Sequence, residues 1–462
     1  MSQEKVEKLP VSLKAGWGVG ALGVSVLMNG VAGVILFYLV SIVKMDPAVA
    51  GTLIFSFKIL DVITDPLMGR ISDRTVSGMG RRRPYLLLGC FVSTISMLVL
   101  FNVPDWNSGN AVLAYVSFGL LIYTLGYTIF NVPYITMPAE MTDGYHERSS
   151  IHGYRVVFIS LGSTVGGALG PILLQMYGQT RETYSLIASL KAVMIFVSML
   201  ACFYLTKKAR SIVRTEVTPK FLQQVAHMRK NQHFLKILAA KLIQLIGIFA
   251  TQAALFFFFL NALQVPETYI VVYGISMTVS SIIFAPLLVR LSKRIGKPNA
   301  YIVCGVIYSL NCLSWYFSGP GESVWLIGLR GFITGIPFAG NIMLAMSMLT
   351  DTIEYDARKN GVRQEGIFTA MYSFVEKFAG AFGPLIVGLL LSFAGFDKSL
   401  APNAGQSPEV VSALLLGMAA IPALTSFLSV LIIRTYTLDE GAIEAVAQGD
   451  AGPAKPLASP AE

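Results

Sequence analysis

Two carboxylates four residues apart, Asp61 and Asp65, sit in the apolar stretch Lys58-Ile-Leu-Asp61-Val-Ile-Thr64-Asp65-Pro66. On a helix, positions i and i+4 share one face and lie about 6 Å apart along the axis, so both acids can touch one small cation. Thr64 adds a hydroxyl beside them. Pro66 lacks an N–H, which frees the carbonyl of Val62 as a further oxygen. A second stretch repeats these features: Tyr127, Thr128 and Asn131 precede Pro133, which frees the carbonyl of Ile129. A hard cation such as Na⁺ takes several oxygen ligands, which two such helices can supply together; proton coupling needs only one carboxylate. The alternative use of the acids is structural, with Lys58, Arg155 or Lys377 neutralising them.

An acid at the centre of a membrane helix costs about 2.5–3.5 kcal/mol on insertion scales, so a pair of them must face something other than lipid. The rest of the chain shows that the setting is a membrane. Its 462 residues are 54% hydrophobic and only 13% charged, with a mean hydropathy of +0.64. Soluble domains carry ~25% charged residues. We count roughly twelve runs of the ~20 apolar residues that cross a bilayer, which leaves little chain for a soluble domain. The net charge of +9 does not call for nucleic acid, because the basic residues lie in alternate loops. Arg70, Arg74 and Arg81 to Arg83 follow the second span, Lys207 to Lys230 the sixth, and Arg290 to Lys297 the eighth. The positive-inside rule makes these loops, and both termini, cytoplasmic. The first apolar run has no small-residue cleavage site, so it stays as a span. Cys90, Cys202, Cys304 and Cys312 lack metal or redox spacing and read as small buried hydrophobes.

The chain repeats itself. Gly167-Ala-Leu-Gly-Pro171 in the fifth span recurs as Gly380-Ala-Phe-Gly-Pro384 in the eleventh, 213 residues on. The Gly80-Arg81-Arg82-Arg83-Pro84 loop has a weaker echo at Gly296-Lys297-Pro298, 216 residues on. Agreement between the two offsets indicates two parallel halves, with the substrate site expected at midplane between them. The expected organisation is a six-helix bundle over 1–206, a cytoplasmic linker over 207–236, a second six-helix bundle over 237–436 and a disordered cytoplasmic tail over 437–462. Gly16, Gly20 and the ladder Gly162, Gly166, Gly170 are spaced for close helix packing.

The string DVITDPLMGRISDRT with GRRRPY, then NVPY with AEMTDGYHERSSIHGYR, then DTIEYDARKNGVRQEGIF with Lys377 downstream, resembles the glycoside–pentoside–hexuronide cation symporters, the melibiose-permease-like family. The resemblance covers nearly all twelve spans. It implies an all-α membrane protein of the major facilitator fold, twelve transmembrane helices in two six-helix halves, running symport on Na⁺, H⁺ or Li⁺. Asp61 and Asp65 fall on the family's two cation-binding acids and would be the metal ligands if the ion is Na⁺. Thr64 stands where the melibiose-carrying pattern has Asn, and Thr128 falls on the cation-site threonine. Tyr127 and Arg155 match sugar-site residues, and Lys377 matches the lysine joining the two sites. Asn131, Ser25, Tyr372 and Ser373 complete the expected substrate set.

The departures concern the cargo. Val24-Ser25 replaces a Lys-Asp pair whose acid grips sugar hydroxyls, and Asn131 replaces a second such acid. An amide accepts hydroxyl protons less strongly than a carboxylate does. Ile135 and Ile342 stand near the places of sugar-stacking tryptophans. Symport of a sugar or glycoside is therefore the first expectation. Symport of a lysolipid-like amphiphile is the second, since the related vertebrate lysolipid symporters keep the cation acids and the lysine. A non-transporting membrane sensor is the third.

Other charges have simpler expectations. Asp73 and Arg74, with Arg81 and Arg363, read as a cytoplasmic gate, for which Glu140 and Asp351 are natural partners. Glu376 and Lys377 point about 100° apart, one to the cavity and one to a neighbouring helix, with Lys377 given the cavity. Arg330 reads as a vestibule residue or an interhelical donor, and Lys191 and Lys241 as snorkelling from span ends. No HExxH, GxSxG or GxxxxGK motif is present, which argues against an enzyme. No cofactor is expected beyond the coupling ion, and the expected partners are a small molecule, a monovalent cation and the bilayer. The expected form is a monomer in a bacterial inner membrane.

Overall fold

The computed structural model describes residues 9–142, 145–209, 228–360 and 365–438. An apolar run in lipid must satisfy every backbone N–H and C=O within itself, and a helix does this. Twelve helices are long and apolar enough to cross a membrane, and there is no strand among the described residues. They are α1 Val11–Ala32, α2 Pro47–Arg74, α3 Arg83–Phe101, α4 Gly109–Met141, α5 Tyr145–Tyr177 and α6 Arg181–Leu205. The second set is α7 Gln232–Phe257, α8 Thr268–Ile295, α9 Lys297–Leu313, α10 Val324–Asn360, α11 Glu365–Phe393 and α12 Pro408–Ile433. Asp46, Ser108, Thr180, Asn231 and Ser407 each accept from a backbone N–H at a helix start, which is where such side chains stabilise most.

The chain forms two compact units, built mainly on α1 to α6 and on α7 to α12. Helix α7 begins inside the segment expected to be linker because Asn231 caps it at Phe234 N. Most of that linker, and the tail from residue 439, lie outside the described residues. Within each unit the pairing is the same: α1 packs on α5 and α6, and α3 on α4 and α6; α7 packs on α11 and α12, and α9 on α10 and α12. The repeat extends to a detail that no motif announces. After α1 the chain makes a wide turn at Tyr38–Ile42, and after α7 another at Phe258–Ala262. Each is followed by a non-glycine residue in the left-handed region, Lys44 at φ 65° and Gln264 at φ 53°.

Glycines set the spacing inside the first unit. A Cβ on Gly162 would fall 2.7 Å from the Leu22 carbonyl oxygen, so α5 touches the backbone of α1 there. Gly20 admits Cys202 and Tyr134 in the same way. Trp17 and Tyr134 then lock α1 to α4. Their rings stack at 4.7 Å, and each donates to the other's carbonyl, at 3.0 and 3.1 Å.

The two expected snorkelling lysines do not snorkel. Lys191 is 3% exposed and reaches the space left by Gly30 and Gly170, while Lys241, at 5%, is held inside the second unit by Glu376. Arg330 is an interhelical donor: it bonds Ser314 through its side-chain and main-chain oxygens, pairs with Glu322 at 3.1 Å and covers Trp315.

Gly162→Ala is expected to lower thermal stability in detergent by about 1–3 kcal/mol, the usual cost of overpacking. Gly167→Ala, whose Cβ would meet nothing within 4 Å, is expected to match or exceed wild type. Equal unfolding midpoints for the two variants would mean that α1 and α5 do not pack this closely.

Candidate cation and substrate site

Helix α2 continues through Pro66 and α4 through Pro133, and the two helices pack together in the first unit. Their contact centres on the Thr128 hydroxyl. It donates to Asp61 Oδ1 at 2.9 Å and to Asp65 Oδ1 at 3.1 Å, while Thr64 Oγ1 lies 3.3 Å from it. Thr64 also donates to the Asp61 carbonyl at 3.2 Å. Asp61 and Thr128 are 7% and 2% exposed. A hydroxyl carries one proton, so Thr128 serves one carboxylate fully at a time. Four oxygens, two of them from formal anions, thus crowd around a point that a small cation or a proton would stabilise. The donors are all oxygen, which suits a hard monovalent ion. No group of three His, Cys, Asp or Glu that could hold a metal is found among the described residues.

One face away on α4, Asn131 donates to the Tyr127 hydroxyl at 3.0 Å. Its own Oδ1 is buried with no hydrogen-bond partner among the described residues. Arg155 on α5 lies beside the Tyr134 hydroxyl. Ser25 is spent within the helix seam: its hydroxyl bonds the Ile159 carbonyl at 3.0 Å and Ser163 at 2.8 Å, and Asn29 donates to it at 3.2 Å. In the second unit, α11 carries Tyr372, which is buried, Ser373, which is exposed, and Lys377, which is half-buried. The expected substrate residues are thus distributed over both units.

The expected gate residues are tied together inside the first unit. Asp73 pairs with Arg82 at 2.5 Å, whereas the expectation named Arg81. Arg81 and Arg82 both donate to Glu140 Oε1 at 2.9 Å, and Arg82 also donates to Ser72. Arg74 is exposed at the end of α2, and Arg363 lies outside the described residues. The second unit carries an equivalent pair, Lys297 and Asp351, at 2.6 Å. Sequence reasoning missed two further ion pairs: Lys14 with Glu147 at 2.6 Å, and Lys241 with Glu376 at 3.3 Å. The only signal for either was a lone lysine at the edge of, or inside, an apolar run.

Glu140→Ala strips two guanidinium groups of their shared acid and is expected to cost about 3–5 kcal/mol in thermal or denaturant unfolding. Arg358→Ala, which removes an exposed pair with Glu354, is expected to cost under about 0.5 kcal/mol. Equal losses would show that the Arg82 cluster is no better buried than a surface pair.

Comparison with known proteins places this geometry in a setting. A family model described as MFS/sugar transport protein matches residues 16–440. An uncharacterized symporter, YnaJ, of Bacillus subtilis (strain 168) is 28% identical over 95% of this chain and 94% of its own length. A putative glycoside/cation symporter, YagG, of Escherichia coli (strain K12) is 25% identical over 96% of this chain and 98% of its own. Among solved structures, a mutant of the nucleoside transporter NupG superposes with a TM-score of 0.64 at 14% identity, covering 91% of this chain and 99% of that one. That likeness is one of fold. The relatives are symporters and carriers, not enzymes.

Proposed function

This chain belongs to the MFS/sugar transport protein family, and we propose that it is a secondary carrier moving a sugar or glycoside in symport with Na⁺ or H⁺ by alternating access. One observation carries the coupling: a single buried hydroxyl, Thr128 on α4, touches both Asp61 and Asp65 on α2. A cation at this point joins the two helices. Without one, the two carboxylates repel each other across a site of low dielectric constant. Helix α4 also carries Tyr127 and Asn131, so a shift of α4 that completes the cation site moves the substrate groups with it. That shared helix supplies the differential affinity that links cation to cargo. The positive-inside rule, applied to the basic loops, supports termini on the cytoplasmic side of the inner membrane.

The second reading, an amphiphilic cargo such as a lysolipid, has one observation in its favour. The first unit offers Ser25 and Asn131 where a galactoside carrier places acids, and the Ser25 hydroxyl is already bonded. A thermal-shift screen of sugars, uronides and lysolipids, with and without Na⁺, separates the two, because a ligand that binds only the folded state raises its apparent stability. Sugar-induced shifts that grow with Na⁺ or with falling pH are expected; shifts with lysolipids alone would reverse the ranking.

Asp61→Asn is expected to abolish gradient-driven uptake into proteoliposomes. Thr128→Val is expected to raise the half-saturating cation concentration about tenfold, or ~1.4 kcal/mol, with less effect on substrate affinity. Uptake indifferent to Na⁺ and proton gradients, and unchanged in Asp61→Asn, would end the symport reading.

A further inference from the structure

The seam between α1 and α5 in the first unit has its counterpart between α7 and α11 in the second. Its polar content has been exchanged. In the first unit the seam holds hydroxyls and an amide: Ser25 on Ser163 at 2.8 Å and on the Ile159 carbonyl at 3.0 Å, with Asn29 on Ser163 at 3.1 Å. In the second it holds Lys241 and Glu376, 3.3 Å apart, with the Lys241 ammonium 5.1 Å above the Tyr372 ring. The positions correspond by number. Lys241 lies 216 residues after Ser25, Glu376 lies 213 after Ser163, and Tyr372 lies 213 after Ile159, the two offsets of the sequence repeat.

The pair is lopsided. The Lys241 side chain is 6% exposed and that of Glu376 is 45% exposed, although both lie about 15 Å inside their helices at 1.5 Å per residue. An open carboxylate at that depth cannot face hydrocarbon, so it faces a water-filled cavity. The sealed ammonium keeps the acid ionised and fixes its orientation, while the exposed side of the carboxylate remains able to accept. One turn earlier on the same face, the Tyr372 hydroxyl is buried without a hydrogen-bond partner among the described residues. A pair built only for packing would have no reason to leave its acid open beside an unsatisfied phenol.

We propose that Glu376 is the carboxylate that binds the substrate's hydroxyls, taking over in the second unit the work that Ser25 and Asn131 cannot do in the first. A carboxylate accepting two neighbouring hydroxyl protons forms charge-assisted bonds that water or an amide matches poorly, which selects a polyol with vicinal hydroxyls. Lys241 is a positioning residue that acts through Glu376, and the Tyr372 hydroxyl is available to a third substrate oxygen. This inference rests on the reading of the chain as a sugar carrier.

The test uses the full chain in proteoliposomes, with isoprimeverose, raffinose and methyl β-xyloside as radiolabelled probes, and measures uptake against both sugar and cation concentration. Glu376→Gln is expected to raise the sugar KM at least tenfold, with the half-saturating cation concentration within twofold of wild type and the unfolding midpoint nearly unchanged. Glu376→Asp is expected to recover part of the loss. The assignment is overturned if the sugar KM of Glu376→Gln stays within twofold, if only its cation dependence moves, or if the double variant Lys241→Met, Glu376→Leu carries sugar at wild-type KM. A wild-type protein that moves none of the probes under any gradient overturns the sugar-carrier reading, and this inference with it.

Discussion

A charge placed inside an apolar bundle has to be paired with another charge, bonded to neutral partners or opened to water, and that requirement organises this molecule. Asp61 and Asp65 are gathered on the Thr128 hydroxyl. Arg81 and Arg82 share Glu140. Arg330 is enclosed by Glu322, Ser314 and the Trp315 ring. Each arrangement needs two or three helices at close quarters, and glycines such as Gly162 and Gly20 allow that approach. Close packing and charge placement are thus one problem with one solution, because a seam that opened would expose the polar groups it encloses.

What could be read from the sequence follows from how far apart the interacting residues lie along the chain. The twelve spans were legible because a bilayer imposes a length on every apolar run. The Asp61 and Asp65 pair was legible because both sit on one helix, where a spacing of four fixes a common face. The Thr128 contact was anticipated by the matching proline in α4 and by family resemblance. The partnership of Lys241 with Glu376 was not legible, since no spacing rule relates residues on helices so distant in sequence, and a lone lysine in an apolar run is explained equally well by snorkelling. Likewise, nothing in the run Arg81-Arg82-Arg83 distinguishes the arginine that meets Asp73, because the choice depends on how α3 is rotated against α2 and α4. The left-handed turns at Lys44 and Gln264 left no trace, as neither residue type favours that conformation.

The repeat gives these details a common meaning. Two units that share helix order, packing pairs and even the wide turns after α1 and α7 differ mainly in which polar groups occupy equivalent seams. In the first unit, the α2 and α4 contact carries acids while the α1 and α5 seam is neutral. In the second, the α7 and α11 seam carries the charge pair. A scaffold duplicated in this way can move a function from one half to the other with few substitutions, because the receiving position already exists with the right depth and neighbours.

On the proposed assignments, such a transfer separates the two binding tasks that a symporter must link. If cation acids and substrate acids sat on the same short stretch of one helix pair, each ligand would alter the other's field directly, and a bound cation would weaken the hold on the substrate's hydroxyls by drawing on the same negative charge. With the cation on α2 and α4 and the carboxylate for the substrate on α11, linkage must instead pass through the positions of the helices. That route favours obligatory coupling, because an equilibrium between helix arrangements responds to each ligand only through its differential affinity for them. It also relaxes the demand on the cargo: the acid that reads the substrate can change without disturbing the acids that hold the ion.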